Sequence, residues 1–495
     1  MIESLKNKGY LMVSAKMKNY LREYSYLKSI HSLLYWDMET MMPKGAIEDR
    51  AERISYIQGK LHSHLTSKKY QSLLEDLESQ KLTPLEKKLL KELRWDFELF
   101  HVLPPSHVKE LSHEQAIASH IWSECKLKND WDTFEPHLQR LIDLKRREIS
   151  FYKTKRPYDA LIRLHDKEFS SSEITSLFQD LKKGLLKLSQ DVTSDGRFVN
   201  VKDLSAPFDV NAQREISLYI AKIFGLPENH SRLDVSTHPF SINISPRDQR
   251  ITTRYSPENL DSLGSTMHEV GHALYELNLP LEWEGTPFQE AISLSVHESQ
   301  SRFWENIIGR SRDFCHFIHP KMKELFPSQM RGVDPEKLYF IFNKSAPGLI
   351  RVESSELFYN FHIIIRYEIE EQIFNHNLRA RDIPALWEEK YKNYLGISPV
   401  TPATGVLQDS HWAGAAFGYF PTYTLGNLIS GSLYQKMRRD LKYFTQDIRK
   451  GELSRISLFL KNLIHIKGRS VTAKELFGTI EVKDYLSYLK EKFKG

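Results

Sequence analysis

Cysteine is nearly absent: Cys125 and Cys315 are the only two in 495 residues, far apart and in no C-x-x-C pair. Two thiols in so long a chain exclude a disulfide framework and fit a reducing compartment, with both read as structural. No run of about eighteen apolar residues occurs, so no membrane span is expected. The chain carries acidic and basic residues from the start, and its apolar patch at Tyr10-Leu11-Met12-Val13 lacks signal-peptide architecture. A soluble, cytoplasmic protein is the expectation. Charge of one sign is scarce as well. The net is +5, and the densest basic cluster, Lys436-Met437-Arg438-Arg439, is followed at once by Asp440. That cluster reads as a solvated helix face, and no nucleic-acid partner is expected. Low-complexity tracts, internal repeats and flexible linkers are missing, while aromatics reach 12%. Disorder is thereby excluded, and there is ample material for a buried core.

What is present is mainly helical. Thr83-Pro84-Leu85-Glu86 and Ser170-Ser171-Ser172-Glu173 read as capping boxes, the first with proline in its opening turn. Ile174, Leu177, Phe178, Leu181, Leu185 and Leu188 recur at the spacing of one helix face. Strand-like alternation is rare. Its best case has Ile242 and Ile244 before a Ser245-Pro246-Arg247-Asp248 turn, then Ile251 to Tyr255, which predicts a β-hairpin. The softest join is Ser194-Asp195-Gly196. A single, mainly helical domain is expected, in segments over 1–200, 201–430 and 431–495, with the division near residue 200 weakly marked.

His268-Glu269-Val270-Gly271-His272 matches H-E-x-x-H. Four-residue spacing brings both imidazoles out one turn apart on one helix face, as a tetrahedral zinc requires. Glu269 lies about 100° further round, suited to a water beside the metal rather than to the metal itself. Ser256-Pro257 reads as the start of this helix, Leu260, Leu263, Met267, Val270, Leu274 and Leu277 as its apolar stripe, and Asn278 and Pro280 as its end. A catalytic zinc needs a third protein ligand. Thr286-Pro287-Phe288-Gln289 reads as the cap of a second helix containing His297-Glu298-Ser299-Gln300, where Glu298 is the carboxylate candidate.

Further segments carry a resemblance. They are Leu34 to Thr40, His238-Pro239-Phe240, and Asp248-Gln249-Arg250-Ile251-Thr252 in the form D-x-R-x-T, together with the zinc helix and His297 to Gln300. Later come Gly405 to Trp412, Gly418 to Tyr423, and His465-Ile466-Lys467-Gly468-Arg469. With these in order, the chain resembles the carboxypeptidase Taq (thermostable carboxypeptidase) family of zinc metallocarboxypeptidases nearly end to end. The resemblance implies a mainly α-helical peptidase fold with a deep groove and a small β-sheet beside the zinc helix. It also implies Glu298 as third zinc ligand, homodimers, and short flexible peptides as substrates. One motif departs: the family's I-R-x-x-A-D stands here as Ile350-Arg351-Val352-Glu353-Ser354-Ser355. An aspartate four residues after Arg351 on a helix would hold its guanidinium, so its loss leaves Arg351 less well oriented.

The expected metal site is His268, His272 and Glu298, holding one Zn2+, with Co2+ or Mn2+ as substitutes. Glu269 is the general base and acid. Tyr419 and His411 are the oxyanion donors, by similarity to related helical zinc peptidases. Arg351, Arg469 and Arg250 are the candidates for the substrate's C-terminal carboxylate, because arginine's planar fork suits it. His238, Gln408 and Asp409 either line the cleft or orient the zinc histidines, Tyr423 is a further substrate-site candidate, and the hairpin is expected to offer an edge strand to the peptide. Rival readings are an endo-oligopeptidase or dipeptidyl carboxypeptidase on the same scaffold, or a relative that keeps metal and binds peptides without hydrolysis.

Overall fold

The computed structural model describes residues 14–495; the apolar patch at Tyr10 to Val13 lies outside them. Helices α1 (Ala15–Thr40), α2 (Ile47–Thr66), α3 (Lys68–Glu78) and α4 (Pro84–His101) form one wall. Long helices α5 (Pro105–Lys128) and α6 (Trp131–Phe151), short α7 (Pro157–Ile162), then α8 (Ser171–Asp195) and α9 (Val210–Phe224) lead into a three-stranded sheet. Both expected capping boxes form: Thr83 with Glu86 starts α4, and Ser170 with Glu173 starts α8. The soft join at residues 194–196 is a helix end, with Gly196 left-handed at φ 77° and its N–H donating to the Val192 carbonyl.

The expected hairpin is β2 (Ser241–Ser245) and β3 (Asp248–Thr253), antiparallel. The sequence reading missed β1 (Ser231–Val235), which pairs in parallel with β3. Its burial does not alternate, so no period of two marked it. The strand order β1-β3-β2 makes β3 central, so the sheet's edge strands are β1 and β2 and not the segment ending at Tyr255.

After the sheet come α10 (Asp261–Leu277), α11 (Leu294–Arg302), α12 (Arg312–Leu325), α13 (Pro335–Phe342), α14 (Glu356–His376) and α15 (Ile383–Leu395). The chain closes with α16 (Pro421–Asp440), α17 (Phe444–Lys450), α18 (Ser454–Leu463), α19 (Ala473–Phe477) and α20 (Val482–Lys494). One apolar core runs from Ala118 to Phe493 without a break at residue 200. A second, smaller core joins Met17, Leu21, Tyr70, Leu74, Leu89 and Leu93 within the wall, and Phe288 reaches it from the catalytic part.

An ion network clamps wall to core. Arg469 donates to Glu92 at 2.7 Å, to Asp96 at 2.5 Å and to Glu290 at 2.8 Å, and Lys28 of α1 also holds Glu290 at 2.6 Å. Three carboxylates thus engage the whole Arg469 fork, so it is not free for the substrate carboxylate expected of it. Removing the cation strands charges that burial has already made costly. We expect R469A to lower the unfolding free energy by about 2–4 kcal/mol, read as a shifted urea midpoint.

Candidate metal centre

The HExxH helix starts later than Ser256-Pro257 suggests. The Ser256 and Pro257 carbonyls, which would open a helix there, accept instead from the Gln213 side chain at 2.6 Å and the Phe208 N–H at 2.8 Å. Asn259 Oδ1 then accepts the Asp261 N–H, and α10 begins at Asp261. Its apolar stripe is buried as expected at Leu263, Met267, Val270 and Leu274. The second helix is displaced likewise. Thr286 to Gln289 makes only a 3-10 turn, and α11 is capped by Ser293, whose hydroxyl accepts from Val296 N–H. A Ser-Leu-Ser-Val cap without an acidic third residue is a weak signal, which is why it was missed.

Two glycines let α11 come close. A Cβ on Gly271 would lie 2.6 Å from the Ser301 Cα, and one on Gly426 of α16 would lie 2.7 Å from the Glu298 Cγ. Pinned between α10 and α16, α11 delivers Glu298 Oε2 to 3.7 Å from His268 Nε2 and 3.5 Å from His272 Nε2. All three donor atoms lie within 4.8 Å of one another. Bonds of about 2.0–2.2 Å to a tetrahedral ion put neighbouring ligand atoms about 3.3–3.6 Å apart, so this donor set fits a zinc-type divalent ion.

Partners orient each donor. His268 Nδ1 is 2.9 Å from Glu305 Oε2, which leaves Nε2 as the free lone pair. Glu305 sits on a π-helical stretch, Phe303–Gly309, and also accepts from Arg310 at 2.8 Å. That stretch is anchored from behind by α20: the Asn306 carbonyl accepts from Lys492 Nζ at 3.0 Å and Tyr488 Oη at 3.1 Å. The His272 ring stacks on His297 at 4.4 Å, and His297 Nε2 is 3.0 Å from Glu276. Glu298 Oε1 accepts from Arg302 Nε at 2.6 Å. Burial alone would raise the Glu298 carboxyl, but Arg302 and the histidines hold it well below the usual range. Burial pushes the Glu269 carboxyl up to about 7, against the pull of His268.

A second cluster adjoins the donors. The His411 ring lies 5.5 Å from Tyr419 and 4.5 Å from Phe420, and its Nε2 is 3.2 Å from the Tyr423 hydroxyl. Tyr419 and Tyr423 pack edge-on at 5.3 Å. Both are half-buried, unlike ordinary core aromatics. Burial and the Glu298 charge push Tyr419 up to about 12, so its hydroxyl keeps its proton. The Arg351 guanidinium lies 5.3 Å from the Tyr423 ring centre.

Arg351 stands in a 3-10 turn, not on a helix. Its orientation comes from Asp409, 2.8 Å from both Nε and Nη2, and from the Tyr359 hydroxyl at 3.0 Å from Nη1. The Ser355 departure therefore does not loosen it: position 355 is the N-cap of α14, where an aspartate would cap the helix instead. Asp409 bridges Arg351 to the fully buried Arg366, and Gln408 accepts the Arg351 N–H while donating to the Leu349 and Thr404 carbonyls. Both residues position Arg351 and touch neither His268 nor His272. Arg250 is held by Asp248 and stacked on Trp36, and His238 is exposed between β1 and β2. Their contacts lie away from the donor set.

Sequence reasoning overlooked Arg302, Glu305, Tyr359 and Arg366. A signal existed for two of them: Glu298, Arg302 and Glu305 fall four and three apart, a charged stripe on one helical face. On α14, buried nearly all round, no polar face singles out Tyr359 or Arg366. Because Glu305 sets the His268 tautomer, we expect E305Q to weaken divalent-metal affinity by about 10–100-fold. Competition with a chelating dye reads this directly.

The same arrangement can be set beside known proteins. The family model described as carboxypeptidase Taq (M32) metallopeptidase matches residues 16–493. Thermostable carboxypeptidase 1 of Thermus thermophilus is 36% identical over 492 residues, covering 95% of this chain and 96% of the relative. Carboxypeptidase 1 of Bacillus subtilis is 35% identical over 486 residues, covering 96% of each. The solved structure of a Pyrococcus furiosus carboxypeptidase superposes with a TM-score of 0.94 at 33% identity, covering 97% of this chain and 99% of that one. With a match along its whole length and a shared fold, the chain belongs to the carboxypeptidase Taq (M32) family of metallocarboxypeptidases.

Proposed function

We propose that the protein is a zinc metallocarboxypeptidase that removes the C-terminal residue of short, flexible peptides with broad specificity. The observation that carries this reading is the donor set of His268, His272 and Glu298, spaced as the edges of a tetrahedron. When bound there, zinc supplies Lewis acidity, polarising a carbonyl and making water a better nucleophile.

The protein's own residues do the rest. Glu269, buried beside His268 and without a hydrogen-bond partner among the described residues, takes the proton of the attacking water and delivers it to the departing amine. Tyr419, with its proton retained, and His411 donate to the oxyanion as charge develops on the scissile oxygen. Arg351, held by Asp409, receives the terminal carboxylate beside Tyr423. A fixed cation at that point selects chain ends over internal bonds.

Mass spectrometry of a peptide mixture with and without chelator tests the activity. Single C-terminal residues should be released, release should stop on chelation, and Zn2+, Co2+ or Mn2+ should restore it. Release of dipeptides, or internal cuts, would instead support the endo-oligopeptidase or dipeptidyl carboxypeptidase reading. We expect E269Q to lower kcat by about 10²–10⁴-fold while retaining stoichiometric metal. Equal inactivity of wild type and E269Q on the panel would leave a peptide-binding protein without hydrolysis. R351A should raise KM for free-ended peptides while leaving their C-terminal amides, already poor substrates, nearly unaffected.

A further inference from the structure

A cavity of about 560 Å3 lies between the N-terminal wall and the catalytic core, within the range of about 300–1,000 Å3 typical of ligand sites. Two of its lining residues, His297 and His165, join it to the metal centre. His297 stacks on His272, and the His165 ring meets Tyr419 edge-on at 5.2 Å. Arg351, Asp409 and Tyr423 do not line it. With the terminal carboxylate on Arg351, the upstream part of the peptide is what reaches the cavity.

Nearly every charge lining this space is already matched. Lys28 and Arg469 share Glu290, Arg469 also holds Asp96, Lys167 is paired with Glu92, and Glu276 takes His297. Arg163 is the exception: it has no carboxylate partner among the described residues. It follows α7 directly, and its guanidinium lies over the Trp95 ring of α4, 4.7 Å from the centroid. A cation–π contact of this kind steadies the guanidinium, and among the described residues none takes up its side-chain N–H donors. A half-buried cation with oriented, unused donors is matched by a carboxylate, which it can bind through two parallel hydrogen bonds.

We propose that Arg163 is a specificity subsite for an acidic side chain, Asp or Glu, on a substrate residue upstream of the scissile bond. The proposal rests on the carboxypeptidase reading. Trp95 supplies the platform, and Lys167, also within 5.8 Å of the Trp95 ring centre, adds positive potential while remaining tied to Glu92.

The test uses pentapeptides with one common C-terminal residue, in pairs carrying Glu or Gln at a single upstream position. The metal-loaded enzyme, R163A, R163Q and R163K are compared by kcat/KM for release of the last residue. We expect wild type to favour Glu over Gln by about tenfold at one position, the scale of a charge-assisted pair. The ratio should fall to about one in R163A and R163Q and survive in part in R163K. Because it is taken within each protein, a general loss of activity does not move it. R163Q keeps the side-chain length should R163A fail to fold. Absence of any Glu preference in wild type, or its persistence in R163A and R163Q, overturns the subsite. Failure of wild type to cleave even the Gln peptides would overturn the carboxypeptidase reading itself, a separate result.

Discussion

The metal site depends on how closely one short helix can approach two others. Glu298 reaches the two histidines only because α11 lies backbone to backbone against α10 and α16, at Gly271 and Gly426. Either glycine as alanine would force a Cβ into a main-chain or Glu298 atom closer than 3 Å. A typical helix pair stands 8–10 Å apart, with side chains filling the gap. Removing them at two points converts a loose crossing into a fixed one. The ligand distance is thus set by main-chain contact, and a rigid site requires such support.

Close packing brings an electrostatic cost that the surroundings offset. Glu298, Glu269 and Glu305 are all buried within reach of His268. Unpaired, three carboxylates in so small a volume would drive one another to protonate. Arg302 neutralises Glu298, and Arg310 with Arg302 does the same for Glu305, so burial does not prevail there. Only Glu269 is left without a cation of its own, and its carboxyl alone of the three is raised. The arrangement separates carboxylates that stay charged from one able to hold a proton near neutrality, which is the distinction general acid-base chemistry uses.

How much of this was legible follows from the range of each signal. Fold class, the hairpin, the capping boxes and the apolar face of α10 depend on residues close in sequence, and periodicity reveals them. The helix starts at Asp261 and Leu294 did not, because each is decided by a distant partner: Gln213 and Phe208 engage the carbonyls before α10, and the Tyr275 hydroxyl accepts the Ile292 N–H ahead of α11. Arginine roles were the least legible. From sequence, Arg351, Arg469 and Arg250 differ only in the motif around them. In space, one is presented by Asp409 beside two tyrosines, another closes an ion network, and the third stacks on Trp36. What an arginine does is settled by where its carboxylate partners lie, and those are 58 residues away for Arg351 and 373 for Asp96 on Arg469.

The groove itself has the same origin. The N-terminal wall has its own apolar core, and the seam with the rest is closed by Phe288 and a chain of ion pairs rather than by a continuous hydrophobic layer. Apolar faces would merge to remove area from water; charged faces, which remain hydrated unless paired, do not. A polar seam therefore keeps two walls apart at the distance its salt bridges span. It also explains why a deep cleft persists beside a closely packed metal site. The gap between wall and core is therefore fixed by the same ion pairs that hold the wall in place.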